Sequence, residues 1–239
     1  MESTLPKPRI PIPGSLERRL DDILDRALQV EAPVVNAYVD RVRRQRPQAK
    51  PAEVVDLLER RYRQAVMGIG AASGAVAVVP GVGTATALAS GGAEVAAFIS
   101  ATAMYVLGLA RVYGMPTHDP EVRRALVLGV LLGEGSLAGF GGAELAGKHW
   151  PKLISRQGAT GKLTGLNGRM TRIMVRRFTT RQGALLLGRA LPMGIGAGVG
   201  AVGNAALARG SIKNAHRAFG PAPATFGPRI IEGTPVPGG

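Results

Sequence analysis

From Gln64 to Ala110 the chain runs 47 residues with a single charged side chain, Glu94. Such a run is too apolar for a solvated surface. It is also too poor in large aliphatic residues for a robust membrane span: from Thr84 to Ala110, 17 of 27 residues are Ala, Gly, Ser or Thr and only 9 are larger apolar residues. Gly and Ala contribute little transfer energy, and an acid at the centre of a spanning helix costs a few kcal/mol, about 3 by insertion scales. Small residues do suit helices whose backbones approach closely. The run therefore predicts helices made to pack on other helices, at or near a membrane.

Helical periodicity extends on both sides of this run. Leu16, Leu20, Ile23, Leu24, Ala27 and Leu28 form one apolar stripe from Ser15, ringed by charges. Pro33 is expected to kink or divide that helix. Pro51 suits the first position of the next, whose stripe of Val54, Val55, Leu58, Tyr62 and Ala65 continues into Val66–Val79. Pro80-Gly81-Val82-Gly83 breaks it, and a helix over Thr84–Tyr113 follows. Asp119-Pro120-Glu121 reads as a helix start: a capping carboxylate, proline at the first position, then an acid at the positive end of the dipole. That helix is expected to run towards Trp150. Lys148–Gly168 is expected to be a loop with a short helical piece, Arg169–Ala190 a helix, and Pro192–Phe219 the last one. The fold class is all-α, with six or seven helices. One helical domain over residues 15–219 lies between Pro-rich tails, 1–14 and 220–239, read as disordered or extended.

Charge is distributed unevenly. The net formal charge is +14, and residues 148–239 hold 14 basic side chains against one acid. A basic third beside apolar helices suits the anionic cytoplasmic leaflet, where each Lys or Arg near the surface adds about 1 kcal/mol. Arg169, Arg172 and Arg176 share one helical stripe and are the candidate anionic-surface residues. Nucleic acid is the weaker partner, because aromatic residues for base stacking are sparse and no recognition motif is evident. The chain has no cysteine and no apolar leader at its start, so the expected location is the cytoplasmic face of the membrane, with the cytoplasm as the alternative.

No motif names a reaction. Gly158-Ala159-Thr160-Gly161-Lys162 lacks the Ser/Thr of a phosphate loop, its first glycine is misplaced and it follows no strand. Gly194-Ile195-Gly196 lacks a preceding strand and a following acid. His118, His149 and His216 are scattered outside any metal-ligand spacing, so no cofactor, metal or catalytic residue is assigned. Glu94, alone in its apolar helix, and Glu134, among glycines, are the functional candidates; Glu94 must face water or a partner. Glycines four apart, such as Gly70 with Gly74 and Gly196 with Gly200, make flat grooves that suit packing within the chain and, by the same geometry, a homo-oligomer.

Two stretches resemble the EcsC family of bacterial proteins. One is ARVYGMPTHDPEVRRALVLGVLLGEG, residues 110–135, and the other is LPMGIGAGVGAVGNAALARGSIKNAHRAFG, residues 191–220. The matching positions are Tyr113, Gly114, Asp119, Pro120, Glu121, Arg123, Pro192, Gly200, Asn204, Arg217 and Phe219; Ala205 and Gly210 depart from the pattern. The resemblance implies an all-helical, membrane-linked protein, with an ABC transporter tied to secretion as the implied partner. It implies no catalytic residues. It makes Asp119 and Arg123 a cap and an adjacent ion pair, and Asn204 a hydrogen-bond anchor between helices.

Overall fold

A computed structural model describes residues 14–76, 83–133, 135, 150–157, 163–176 and 195–226. Among these residues the protein is all-helical, with seven helices and no strand. They are α1 (Gly14–Gln45), α2 (Pro51–Val76), α3 (Gly83–Val112), α4 (Pro120–Leu132), α5 (Trp150–Gln157), α6 (163–176) and α7 (Ile195–Phe219). They pack as a bundle in which α2 lies against α7 and α3, and α1 against α3.

The bundle is organised around α4. Ala125, Leu126, Val127, Leu128, Gly129 and Val130 are buried in succession, so α4 is covered on every side. A helix apolar all round belongs in a core, and α4 touches α1, α3, α5 and α7. Its start follows local chemistry: Asp119 has extended backbone, and its carboxylate accepts from the Glu121 N–H at 2.8 Å. Its end differs from the expected run towards Trp150. Gly133 N–H still closes the last helical bond to Gly129 O at 2.8 Å, but its φ of 81° turns the chain out of the helix there.

Two further boundaries differ from the sequence reading. Helix α1 continues through Pro33 without division. Its core stripe, Leu24, Ala27, Leu28, Val35, Val39 and Val42, is buried on both sides of the proline, so packing outweighs the lost backbone hydrogen bond. Helix α6 is already formed at residue 163, ahead of the expected 169, because Leu163, Leu166, Met170 and Met174 form its buried stripe; 177–190 of the expected helix lie outside the described residues. Helix α7 runs unbroken through Gly210 to Phe219, as the sequence reading expects.

Helix α3 ends where Gly114 takes φ 67°, the left-handed conformation glycine adopts without strain. Met115 N–H then reaches Ala110 O at 2.9 Å and Gly114 N–H reaches Arg111 O at 3.2 Å. The stretch Ala93–Val112 within α3 is the one candidate among the described residues long and apolar enough to cross a membrane, and 61% of it is buried inside the bundle. A core helix has the same signature. Beyond α7 the chain leaves helix over 220–226, where Ala222 and Phe226 pack on the core and Arg43 lies 4.3 Å over the Phe226 ring.

Candidate functional site

Two of the candidates from the sequence, Glu94 and Asn204, lie together. Asn204 on α7 donates from Nδ2 to Glu94 Oε1 on α3 at 3.4 Å and to Val66 O on α2 at 3.5 Å. A Cβ built on Gly70 would fall 2.6 Å from Asn204 Nδ2, so glycine is what admits the amide. The half-buried carboxylate of Glu94 thus faces a partner helix. The arrangement is a junction of three helices and holds one carboxylate. Glu134 and Pro192 lie outside the described residues, as does 158–162.

One face of that junction continues as a tyrosine layer that periodicity alone did not reveal. Tyr62 and Tyr105 stack with ring centroids 4.7 Å apart. Tyr62 Oη lies 3.0 Å from Thr102 Oγ1, which in turn donates to Phe98 O at 2.8 Å. The Tyr105 hydroxyl is buried without a hydrogen-bond partner among the described residues. Burial, then the nearby Glu59 carboxylate, pushes its pKa well above the ordinary tyrosine value, and burial raises Tyr62 too. Glu59 Oε1 is 2.7 Å from His216 Nε2. Tyr113, raised by burial and by Glu59, donates to Gly220 O at 2.8 Å and tilts against Phe219 at 5.2 Å. Among the EcsC-like positions, Tyr113, Gly114 and Phe219 therefore close the end of the bundle, and Asp119 caps α4. Arg123 donates from Nη1 to the carbonyls of Thr117 and His118 at 2.8 and 3.0 Å.

The remaining charged chemistry is of two kinds. Arg124 on α4 bonds Asp21 and Asp25 of α1 and, at 3.2 Å, Thr171 Oγ1 of α6. Arg111 of α3 pairs with Asp40 of α1 at 3.4 Å. These guanidiniums join helices. By contrast Arg169, Arg172 and Arg176 are all exposed on α6, while Met170, Thr171, Met174 and Val175 on its other side are buried. The spacing read from the sequence thus corresponds to a basic outward face. On α7, Arg209, Lys213 and Arg217 are exposed as well. Periodicity of apolar residues does not reveal this second stripe; the four-residue spacing of its cations does.

Among the described residues no cluster of three His, Asp or Glu side chains is placed to hold a metal ion. The arrangement supplies surface cations and a packed apolar interior, so what it can do chemically is bind anions. No protein-family model, curated protein or solved structure matches this chain.

Proposed function

We propose that the protein associates peripherally with an anionic membrane surface, on the cytoplasmic side, through its basic helical faces. The observation that carries this reading is α6. It buries its apolar side in the bundle and leaves Arg169, Arg172 and Arg176 outward, a geometry for electrostatic adsorption at about 1 kcal/mol per cation. The burial of α3 supports adsorption over spanning, since the apolar stretch already has protein partners. The resemblance to the EcsC family supports a membrane-linked role as an accessory to transport or secretion.

The competing reading is a soluble helical interaction module whose basic third binds an acidic protein or nucleic acid. The same burial of α3 favours it, because such a bundle needs no lipid. Sedimentation of the full chain with vesicles separates the two. The membrane reading expects binding to phosphatidylglycerol-containing vesicles that high salt reverses, and none to pure phosphatidylcholine. Recovery wholly in the supernatant, with salt-sensitive binding to nucleic acid, would overturn it.

A further inference from the structure

We infer that α7 carries a second, independent docking face, Arg209, Lys213 and Arg217, that seats on the phosphates of an anionic bilayer. The inference rests on the peripheral-membrane reading and extends it to a surface on another helix.

Helix α7 contains no acidic residue over its 25 positions. Its exposed positions from Ala206 onward are Ala206, Arg209, Gly210, Lys213, His216 and Arg217. At 3.6 residues per turn these six fall within an arc of roughly 120°, and the three permanent cations stand about 6 Å apart along the axis. The intervening positions Ala208, Ser211, Ile212, Ala215, Ala218 and Phe219 are buried.

The other polar side chains of this half of α7 are engaged with neighbouring helices. Asn204 bonds α2 and α3, Asn214 donates to Val130 O on α4 at 2.9 Å, and His216 meets Glu59. Among the described residues Arg209, Lys213 and Arg217 make no ion pair or side-chain hydrogen bond. The three like charges in a row repel one another, and an anionic plane relieves that repulsion.

The shape of the face selects the partner. Ala206 and Gly210 flank the row of cations, and a Cβ placed on Gly210 would meet nothing within 4 Å. The exposed His216, at the edge of the arc, is held by Glu59 on α2, so a flat surface reaches all three cations. A protein partner would want a large apolar or aromatic anchor at the centre, and a single strand would want rings to stack on. The α7 face offers neither. A plane of lipid phosphates needs neither.

The test compares two full-length triple variants on phosphatidylglycerol/phosphatidylcholine vesicles at low salt. Arg209→Gln/Lys213→Gln/Arg217→Gln is expected to weaken partitioning on the order of 100-fold, the sum of three surface cations. Arg169→Gln/Arg172→Gln/Arg176→Gln reports on α6 separately. Arg209→Lys/Arg217→Lys keeps the charge and is expected to bind like the parent. Gly210→Glu, which places an acid in the open position, is expected to weaken binding without removing any cation; it guards against a triple variant that fails to fold.

If the α7 triple variant binds like the parent while the α6 variant loses binding, the α7 inference fails and the membrane reading stands. If the parent chain itself ignores the vesicles, both fail. Binding of duplex DNA that the α7 variant abolishes, without vesicle binding by the parent, would assign the face to nucleic acid and overturn the inference.

Discussion

The two flanks of the bundle are held by different physics. On the side where α1, α4 and α6 meet, long cationic side chains reach across: Arg124 to Asp21, Asp25 and Thr171, and Arg111 on α3 to Asp40. On the side where α2, α3 and α7 meet, contact is close and nearly neutral. Asn204 rests on Gly70, Leu58 packs 3.0 Å from a Cβ built on Gly108, and Tyr62 stacks on Tyr105. The contrast explains the surface. Cations that find acids become ties between helices, whereas α7 packs through small residues and amides and leaves its cations in solvent.

The sharpest way to break this contrast is at the close-packed flank. Gly70→Ala drives a methyl group into Asn204 and is expected to cost about 2 kcal/mol by urea unfolding, with little dependence on salt. Adding Asn204→Ala should recover most of that loss; a double variant no better than the single would mean the two do not share one contact.

Alkaline titration probes the tyrosine layer of the same flank. The pKa of Tyr105 is raised in the fold, so the stability it confers is complete below the ordinary tyrosine value near pH 10 and is lost as pH rises beyond it. Tyr105→Phe is expected to lessen the alkaline loss by up to about 1.4 kcal/mol per pH unit, with Tyr62 and Tyr113 still contributing. An unchanged alkaline slope, followed by circular dichroism, would show that Tyr105 titrates with solvent access.

On the charged flank, Arg124→Met is expected to cost about 1 kcal/mol at low salt. Arg124 is 14% exposed, but Asp21 and Asp25 are 39% and 52% exposed and regain water when it is removed, which discounts the loss. The difference from the parent should shrink in high salt; a salt-independent difference would make Arg124 a packing residue. The smallest expected effect is a gain. Gly68→Ala meets nothing within 4 Å, and helix propensity alone should add about 0.8 kcal/mol to the melting free energy.

Legibility in the sequence followed locality. Asp119, Pro120 and Pro51 announced their helices because capping and the fixed proline φ act within a few residues. The end of α4 was missed because a glycine that stops a helix at positive φ looks in sequence like one that merely loosens it. The helical residues 163–168 of α6 were not legible, because Gly165 and Gly168 carry low helix propensity while the burial of Leu163 and Leu166 that offsets it is tertiary. The small residues of α3 were legible as packing surface, and Glu94 as a side chain that faces either water or a partner. That its partner is Asn204, 110 residues away, follows only from how α2, α3 and α7 come together. The outward face of α6 was legible because Arg169, Arg172 and Arg176 recur at helical spacing.

The enclosure of α4 also sets an order of events in time. At 13 residues, α4 is too short to hold a stable helix alone in water. Its six consecutive buried residues must be covered by α1, α3, α5 and α7, and two of those partners, α1 and α7, come from opposite ends of the fold. During synthesis at roughly 5–20 residues per second, α1 to α3 wait on the order of ten seconds for α7 to emerge. Through that interval the surfaces that will meet α4 and α7 stay uncovered. A nascent chain of this kind exposes apolar surface until α7 arrives, and removing α7 strands the centre rather than trimming an edge.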